Sequence, residues 1–273
     1  MDRLRDRVCL ITGSTGIAAA SARRLAFEGG AVAVVSRTPE HVHSLAREIE
    51  AAGGRALGVA ADLTAEEDVD RAVAAVNERF GRIDGLFAVA GGSGRRFGDG
   101  PLHELTAEGW ERTFEINLRT QALVCRAVVR LMLTQDPNPS GTRGSILLMG
   151  SVTATDPAPP YFATHAYAAA RGATNALMTS MAATYAPHGI RVNVVAPSLT
   201  NTPMASRARS DARILAFARR KQPLAGEMLN PDEVAQAAVY FLSDESRVVT
   251  GQLLKIDGGW SVVSASPEPG SEA

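Results

Sequence analysis

Lysine is almost missing from this chain. Lys221 and Lys255 are the only two, so nearly all of its 28 basic side chains are arginine. An arginine where another protein carries lysine is therefore less informative here than it would be elsewhere. Cysteine is equally scarce: Cys9 falls in an apolar strand pattern and Cys125 in a helix pattern, which points to two buried thiols and away from a disulfide framework or a metal site. Neither sign of charge is in excess, because 28 basic and 29 acidic residues leave a formal net charge of −1. That balance removes the electrostatic footprint of a nucleic-acid or anionic-membrane binder. No apolar run reaches the roughly 18 residues a membrane span needs. The charged opening Met1-Asp2-Arg3-Leu4-Arg5-Asp6-Arg7 lacks the apolar core of a secretory signal. The expectation is a cytoplasmic protein with no nucleic-acid or membrane partner.

What is present is a regular alternation of short apolar runs with amphipathic stretches. Val8–Ile11 reads as a buried strand stopped by Thr12-Gly13, and Ser14-Thr15-Gly16-Ile17-Ala18 leads into a helical pattern through Ala22, Leu25 and Ala26. Strand, glycine turn and helix together form a phosphate-binding turn, in which glycines admit a pyrophosphate to the backbone and the helix start offers N–H donors. Further strands read at residues 31–35, 57–61, 86–90, 145–149, 191–196 and 253–256, with helices between them. The pattern predicts an α/β fold: a doubly wound, seven-stranded parallel sheet of Rossmann type in a three-layer α/β/α sandwich, with residues 1–263 as one domain. The polar, proline-containing residues 264–273 read as a disordered tail.

In dinucleotide folds the residue about 20 positions beyond the glycine turn meets the adenosine ribose. Ser36-Arg37 stands there, with no acidic residue at 35–38, so NADP(H) is preferred over NAD(H). The glycine-rich segment Gly92–Pro101 leaves a strand end, and its Arg95 and Arg96 read either as a solvated, mobile loop or as contacts to an acidic substrate. A long helix is expected from about Thr106 to Leu133, with Asn117 an unusual interior residue that asks for a kink or a polar contact. The stretch from Gly144 to Met204 carries most of the chemistry. A strand delivers Ser151, a helix begins near Tyr167 with Arg171 four residues on, and a second strand ends at Pro197. Residues 201–230 have no strand character and read as a lid, and Asn230-Pro231 as a helix cap.

Assembled, these residues resemble the short-chain dehydrogenase/reductase family from about Asp6 to Trp260. The likeness lies in Thr12-Gly13-Ser14-Thr15-Gly16-Ile17-Ala18, Asp62-Leu63, Asn117-Leu118, Gly150-Ser151, Tyr167-x-x-x-Arg171, His188–Asn193 through Pro197, Thr202-Pro203-Met204 and Val249–Gln252 with Asp257-Gly258-Gly259. The resemblance implies hydride transfer between a nicotinamide and a carbonyl or alcohol carbon of a small, fairly apolar substrate. It would make Tyr167 the general acid/base, Ser151 the holder of the substrate oxygen and Asn117 the anchor of a water relay, with Arg171 in the position of a ribose-binding lysine. Gly13, Ser14, Thr15, Gly16, Ile17, Ser36, Arg37, Asp62, Leu63, Ala90, Gly91, Pro197, Thr200 and Thr202 would contact the cofactor. A homo-oligomer, tetramer or dimer, is implied in the same way.

Three departures from the family pattern stand out. The glycine turn is one residue shorter and has Ala18 for its third glycine, Ala88-Val89-Ala90-Gly91 replaces a pair of asparagines before Ala-Gly, and Arg171 replaces lysine. Arg keeps the cationic charge but, being effectively always protonated, cannot relay a proton. Tyr161, with His165 four residues on, is a rival to Tyr167. A non-redox step such as dehydration or cyclisation, and a non-catalytic subunit, remain alternative readings.

Overall fold

A computed structural model describes residues 2–159 and 161–264. The tail expected at 264–273 therefore lies, apart from Ser264, outside the described residues, as do Met1 and Pro160. Seven strands form one sheet: β1 (Val8–Thr12), β2 (Ala31–Ser36), β3 (Arg55–Ala60), β4 (Gly85–Ala88), β5 (Gly144–Met149), β6 (Ile190–Pro197) and β7 (Leu253–Ile256). Their order is β3-β2-β1-β4-β5-β6-β7, and every neighbouring pair is parallel. The helices, in chain order, are α1 (Gly16–Phe27), α2 (Pro39–Ala51), α3 (Glu66–Phe80), α4 (Ala107–Phe114), α5 (Thr120–Thr134), α6 (His165–Tyr185), α7 (Ser206–Arg209), α8 (Ala212–Lys221) and α9 (Pro231–Leu242). The doubly wound fold expected from the alternation is the fold observed.

The strands are apolar on both faces because both faces are covered. Alternate residues feed two separate cores, as the two-residue side-chain period requires. Leu10, Ala33, Val35, Leu86, Ile146, Leu148 and Val192 pack with α3, α5 and α6. Cys9, Ile11, Val32, Val34, Phe87, Leu147 and Val195 pack with α1, α2 and α9. Cys9 and Cys125 sit in opposite cores, so the sheet itself separates them. Burial pushes each thiol up to about 12.

Strand order reverses between β1 and β4, which places the crevice for a ligand beyond their carboxyl ends. Two boundaries differ from expectation. The long helix expected over 106–133 is broken into α4 and α5 by a π-helical segment, Glu115–Arg119, centred on Asn117. The helix expected to begin near Tyr167 begins at His165, because the carboxylate of Asp99 accepts from the backbone N–H groups of Ala166 and Tyr167, both at 3.0 Å, and so seats the first turn. The cap read at Asn230 is present as a full capping box with Glu233.

Candidate active site

The glycine turn is built by two left-handed residues, Gly13 at φ 94° and Gly16 at φ 53°, and α1 starts directly at Gly16 behind Thr15. A side chain on Gly13 would meet Cβ of Ala18 at 3.2 Å, so the alanine in place of a third glycine already fills that space. A Cβ on Gly16 would stand 2.8 Å from Cγ2 of Thr202, which joins two expected cofactor contacts from opposite ends of the chain. Thr12 Oγ1 accepts from the amide of Ala90 at 2.9 Å, tying the carboxyl end of β1 to that of β4. Ile17 packs on the core below. A cleft of about 410 Å³ opens between Ser14, Thr15 and Gly16 and the start of α9 at Asn230, Pro231 and Asp232.

At the end of β2, the hydroxyls of Ser14 and Ser36 lie 2.8 Å apart, and Arg37 is exposed beside them. Asp62 turns its carboxylate onto its own loop, where Oδ1 accepts from the amide and hydroxyl of Thr64 at 2.9 and 2.8 Å. Burial works to raise this carboxyl, but the Thr64 bonds and the nearby Arg37 charge outweigh it and hold it below its usual value. Leu63 sends its side chain into the core.

Arg171 draws the central motifs together. It is buried, and Nη2 donates to Asn117 Oδ1 at 2.9 Å while Nη1 donates to the carbonyl of Met149 at 2.6 Å, two residues before Ser151. Its guanidinium carbon stands 5.1 Å from the centroid of the Tyr167 ring, an arrangement that attracts a cation to the π face. Among the described residues no carboxylate pairs with it, so carbonyl dipoles, an amide and an aromatic face solvate its charge. Nε is buried without a partner. One N–H of each Nη group is thus committed to the protein.

Asn117 finds its reason here. Its Oδ1 also accepts from Gly92 N at 3.1 Å, and its Nδ2 donates to Gly92 O and to Thr113 O, both at 2.9 Å. All four capacities of the amide are used. The wider π turn exposes these groups to a buried side chain, a use of π segments that recurs at functional sites. A Cβ on Gly91 would come within 2.6 Å of both Arg171 Nη2 and Asn117 Oδ1. Only glycine lets the backbone pass this close.

Ser151 is nearly buried at the end of β5 and caps a short 3-10 turn, Val152–Ala154. Its Oγ accepts from Thr153 N at 3.2 Å and lies 2.9 Å from Thr153 Oγ1. The rival Tyr161 packs its ring at a tilt of 51° on Phe217 of α8, with centroids 5.2 Å apart, in a cluster with Phe162 and Trp260. His165 is exposed at the start of α6. Pro197 is buried at the end of β6, and Thr200 turns its hydroxyl onto Ser198 O at 3.0 Å. Residues 201–230, expected to form a lid, carry α7 and α8, and Phe217 of α8 packs on Val152, Ala158 and Trp260.

Several residues that shape the site escape a reading of the sequence. Gln121 bridges Asn117 O and both backbone groups of Met149, and its position four after Asn117 on one helix is the only sign of it. Asp99 seats α6 from a glycine-rich segment with no motif. Gly92–Pro101 contains a 3-10 turn at Arg95–Phe97 and is fastened at Gly92 to Asn117 and at Asp99 to α6. Among the described residues no three His, Cys, Asp or Glu side chains are placed to hold a metal ion, and no helix is long and apolar enough to cross a membrane.

Comparison with known proteins identifies the family. The profile of the family described as Enoyl-(Acyl carrier protein) reductase matches residues 11–261. A cis-4-hydroxycyclohexanecarboxylate dehydrogenase of Sinomonas cyclohexanicum is 37% identical over 259 residues, covering 94% of this chain and 98% of that protein. An A-factor type gamma-butyrolactone 1'-reductase (1S-forming) of Streptomyces virginiae is also 37% identical, over 269 residues and 95% and 97% of the two chains. The solved structure of a short-chain type dehydrogenase/reductase from Mycobacterium ulcerans superposes with a TM-score of 0.86 at 28% identity, covering 96% of this chain and 92% of that one. With the parallel sheet and the glycine turn in place, the chain belongs to the short-chain dehydrogenase/reductase family and is an oxidoreductase of that type.

Proposed function

We propose that this oxidoreductase uses NADP(H) to interconvert an alcohol and a carbonyl on a compact, fairly apolar substrate, with Tyr167 as general acid/base. The observation that carries the reading is the Arg171 bridge. One buried side chain holds Asn117, the end of β5 that presents Ser151, and the ring face of Tyr167 in a single frame.

The residues present suit a dinucleotide. The Gly13–Gly16 turn offers a backbone free of side chains at the start of α1, and Ser198 Oγ, beside Pro197 at the end of β6, is a buried polar atom without a partner among the described residues. Gly13, Ser14, Thr15, Gly16 and Ile17 would hold the pyrophosphate, Ala90 and Gly91 the middle of the cofactor, and Pro197, Thr200 and Thr202 the nicotinamide side. Asp62 and Leu63 would border the adenine. Arg37, exposed and without an ion pair among the described residues, is suited to a 2′-phosphate. Bound there, the nicotinamide supplies or accepts the hydride. In the reducing direction Ser151 Oγ donates a hydrogen bond to the carbonyl oxygen and Tyr167 delivers the proton that completes the alcohol. Asn117 fixes the backbone of Gly92 and anchors proton supply. Arg171 keeps these groups in register and remains protonated throughout. A hydroxycyclohexane ring, as the name of the Sinomonas relative indicates for that protein, has the size and character this reading asks for. Exposed Trp110 and Leu133 on α4 and α5 support self-association as a homo-oligomer.

Fluorescence titration with NADPH and NADH tests the reading. Saturable quenching with tighter binding of NADPH is expected, weakened selectively by Arg37→Ala. Quenching by neither cofactor would sink it. Tyr167→Phe should then abolish turnover while leaving NADPH binding intact.

A further inference from the structure

Two arginines outside the catalytic constellation converge on one oxygen. Arg95, on the turn that follows β4, donates through Nη2 to the carbonyl of Tyr161 at 3.3 Å, and Arg207 of α7 donates through Nη2 to the same carbonyl at 2.8 Å. Two guanidinium groups sharing one acceptor repel each other. Burial first, then the charge of Arg207, holds Arg95 below the ordinary arginine value. Several other arginines here have a carboxylate to answer them, as Arg23 has Glu48 and Arg213 has Asp211. Among the described residues neither Arg95 nor Arg207 has one. The acidic group that faces Arg95 is Asp99, and both of its oxygens are already occupied by the backbone of α6. Each arginine has spent one N–H on Tyr161 and keeps the rest of its five-donor fork.

The pair borders elements tied to the candidate catalytic groups. The segment bearing Arg95 is fastened to Asn117 through Gly92 and to the amide of Tyr167 through Asp99. Arg207 lies on the lid, and the ring of Tyr161 rests on Phe217 of that lid, against Phe162 and Trp260. A packed aromatic cluster thus lies beside two cations that have no carboxylate partner among the described residues. Arg96, by contrast, folds over the ring of Phe97 at 4.5 Å and takes no part.

We propose that Arg95 and Arg207 form an anion clamp at the mouth of the substrate site, and that the substrate is a small organic anion whose apolar body reaches Tyr167 while its acidic group is held by the two guanidiniums. The clamp rests on the oxidoreductase reading of the same site for its position, but its chemistry is separately measurable. Planar forks of this kind bind carboxylate and phosphate oxygens in pairs. Docking of the anion also links the lid to the loop after β4, so binding draws the two together.

The test is calorimetric binding of cyclohexanecarboxylate, cyclohexyl phosphate and the neutral cyclohexanecarboxamide to the full chain saturated with NADP+. The expected result is that at least one anion binds tighter than the amide by roughly tenfold to a hundredfold at low salt, the range for charge-assisted hydrogen bonds. That advantage should shrink as salt is raised. The better of the two anions identifies the acidic group. In the Arg95→Gln, Arg207→Gln double variant, which removes both charges, the advantage should fall to within about threefold. Binding of NADPH and the melting temperature should not change. Equal binding of anions and amide by the wild type overturns the clamp, as does an advantage that survives in the double variant. If the anions bind selectively but no NADP(H) binding or turnover is found, the clamp stands and the oxidoreductase reading falls. If NADPH drives turnover of neutral ketones and anions show no advantage, the reverse holds.

Discussion

Replacing Arg171 by lysine would restore the residue that the family pattern has at this position, yet the geometry argues that it should damage the protein. The guanidinium spans two acceptors, Met149 O at 2.6 Å and Asn117 Oδ1 at 2.9 Å, that belong to different elements. A lysine side chain ends near the position of the guanidinium carbon, so its ammonium cannot serve both acceptors at full strength. One buried acceptor is then left unsatisfied, a cost of about 1–3 kcal/mol. For a chain of this size that corresponds to a fall in Tm of roughly 2–4 °C per kcal/mol. We expect Arg171→Lys to melt about 4–8 °C lower, from a central cost of about 2 kcal/mol. Freed on one side, Asn117 loses its fixed relation to Gly92, and small displacements at a reacting centre lower turnover by as much as about a hundredfold. Differential scanning fluorimetry gives the first quantity, and NADPH-dependent reduction of a cyclic ketone panel gives kcat, with the NADPH Kd expected to stay within about threefold. A lysine variant as stable as the wild type and faster would refute the reasoning and mark Arg171 as a lesion in an otherwise ordinary site.

Other expectations follow from single contacts. Gly91→Ala places a methyl within 2.6 Å of both Arg171 Nη2 and Asn117 Oδ1. It should cost about 1–3 kcal/mol in stability and most of the activity, since overpacking here displaces the bridge itself; a neutral Tm would show that the bridge yields cheaply. Cys9 and Cys125, both buried and pushed up to about 12, should resist alkylation in the native protein at pH 8 and react only after unfolding. Prompt native labelling would mean that one of the two cores opens. Glu28 is held down to about 2 by hydrogen bonds first from Arg3, against the opposing effect of burial, and then from Arg24. Its folded value lies below the unfolded carboxyl value near 4.3, so the stability it contributes is present above that pH and is lost as pH falls toward about 2. Discounted for the partial exposure of both arginines, the contribution is about 1–2 kcal/mol. The Tm gap between wild type and Glu28→Gln should therefore narrow as pH falls below about 5 and close only toward about pH 2; a gap independent of pH would show that Glu28 is not the linked group.

The layers of this protein were legible in one dimension. Runs such as Val8–Ile11 and Ala31–Val35 are apolar at every position because residues of both parities are buried, and that pattern admits little besides a parallel sheet covered on two sides. Asn230 and Pro231 announced a helix start by local hydrogen-bond chemistry alone, and the structure places a capping box there. Glycine positions, motif order and the spacing of Tyr167 and Arg171 are likewise local facts. What only the tertiary structure decided is where side chains spend their hydrogen bonds. That Arg171 bridges two elements could not be read until β5 and the π turn, 22 and 54 residues before it, were folded onto its two Nη groups. Asn117 looked like a misplaced helix residue until its four partners were assembled around it. Arg95 and Arg207, more than a hundred positions apart, form a pair only because the carbonyl of Tyr161 lies between the loop and the lid. Backbone patterning is written in nearest neighbours; the satisfaction of buried polar groups depends on distant ones.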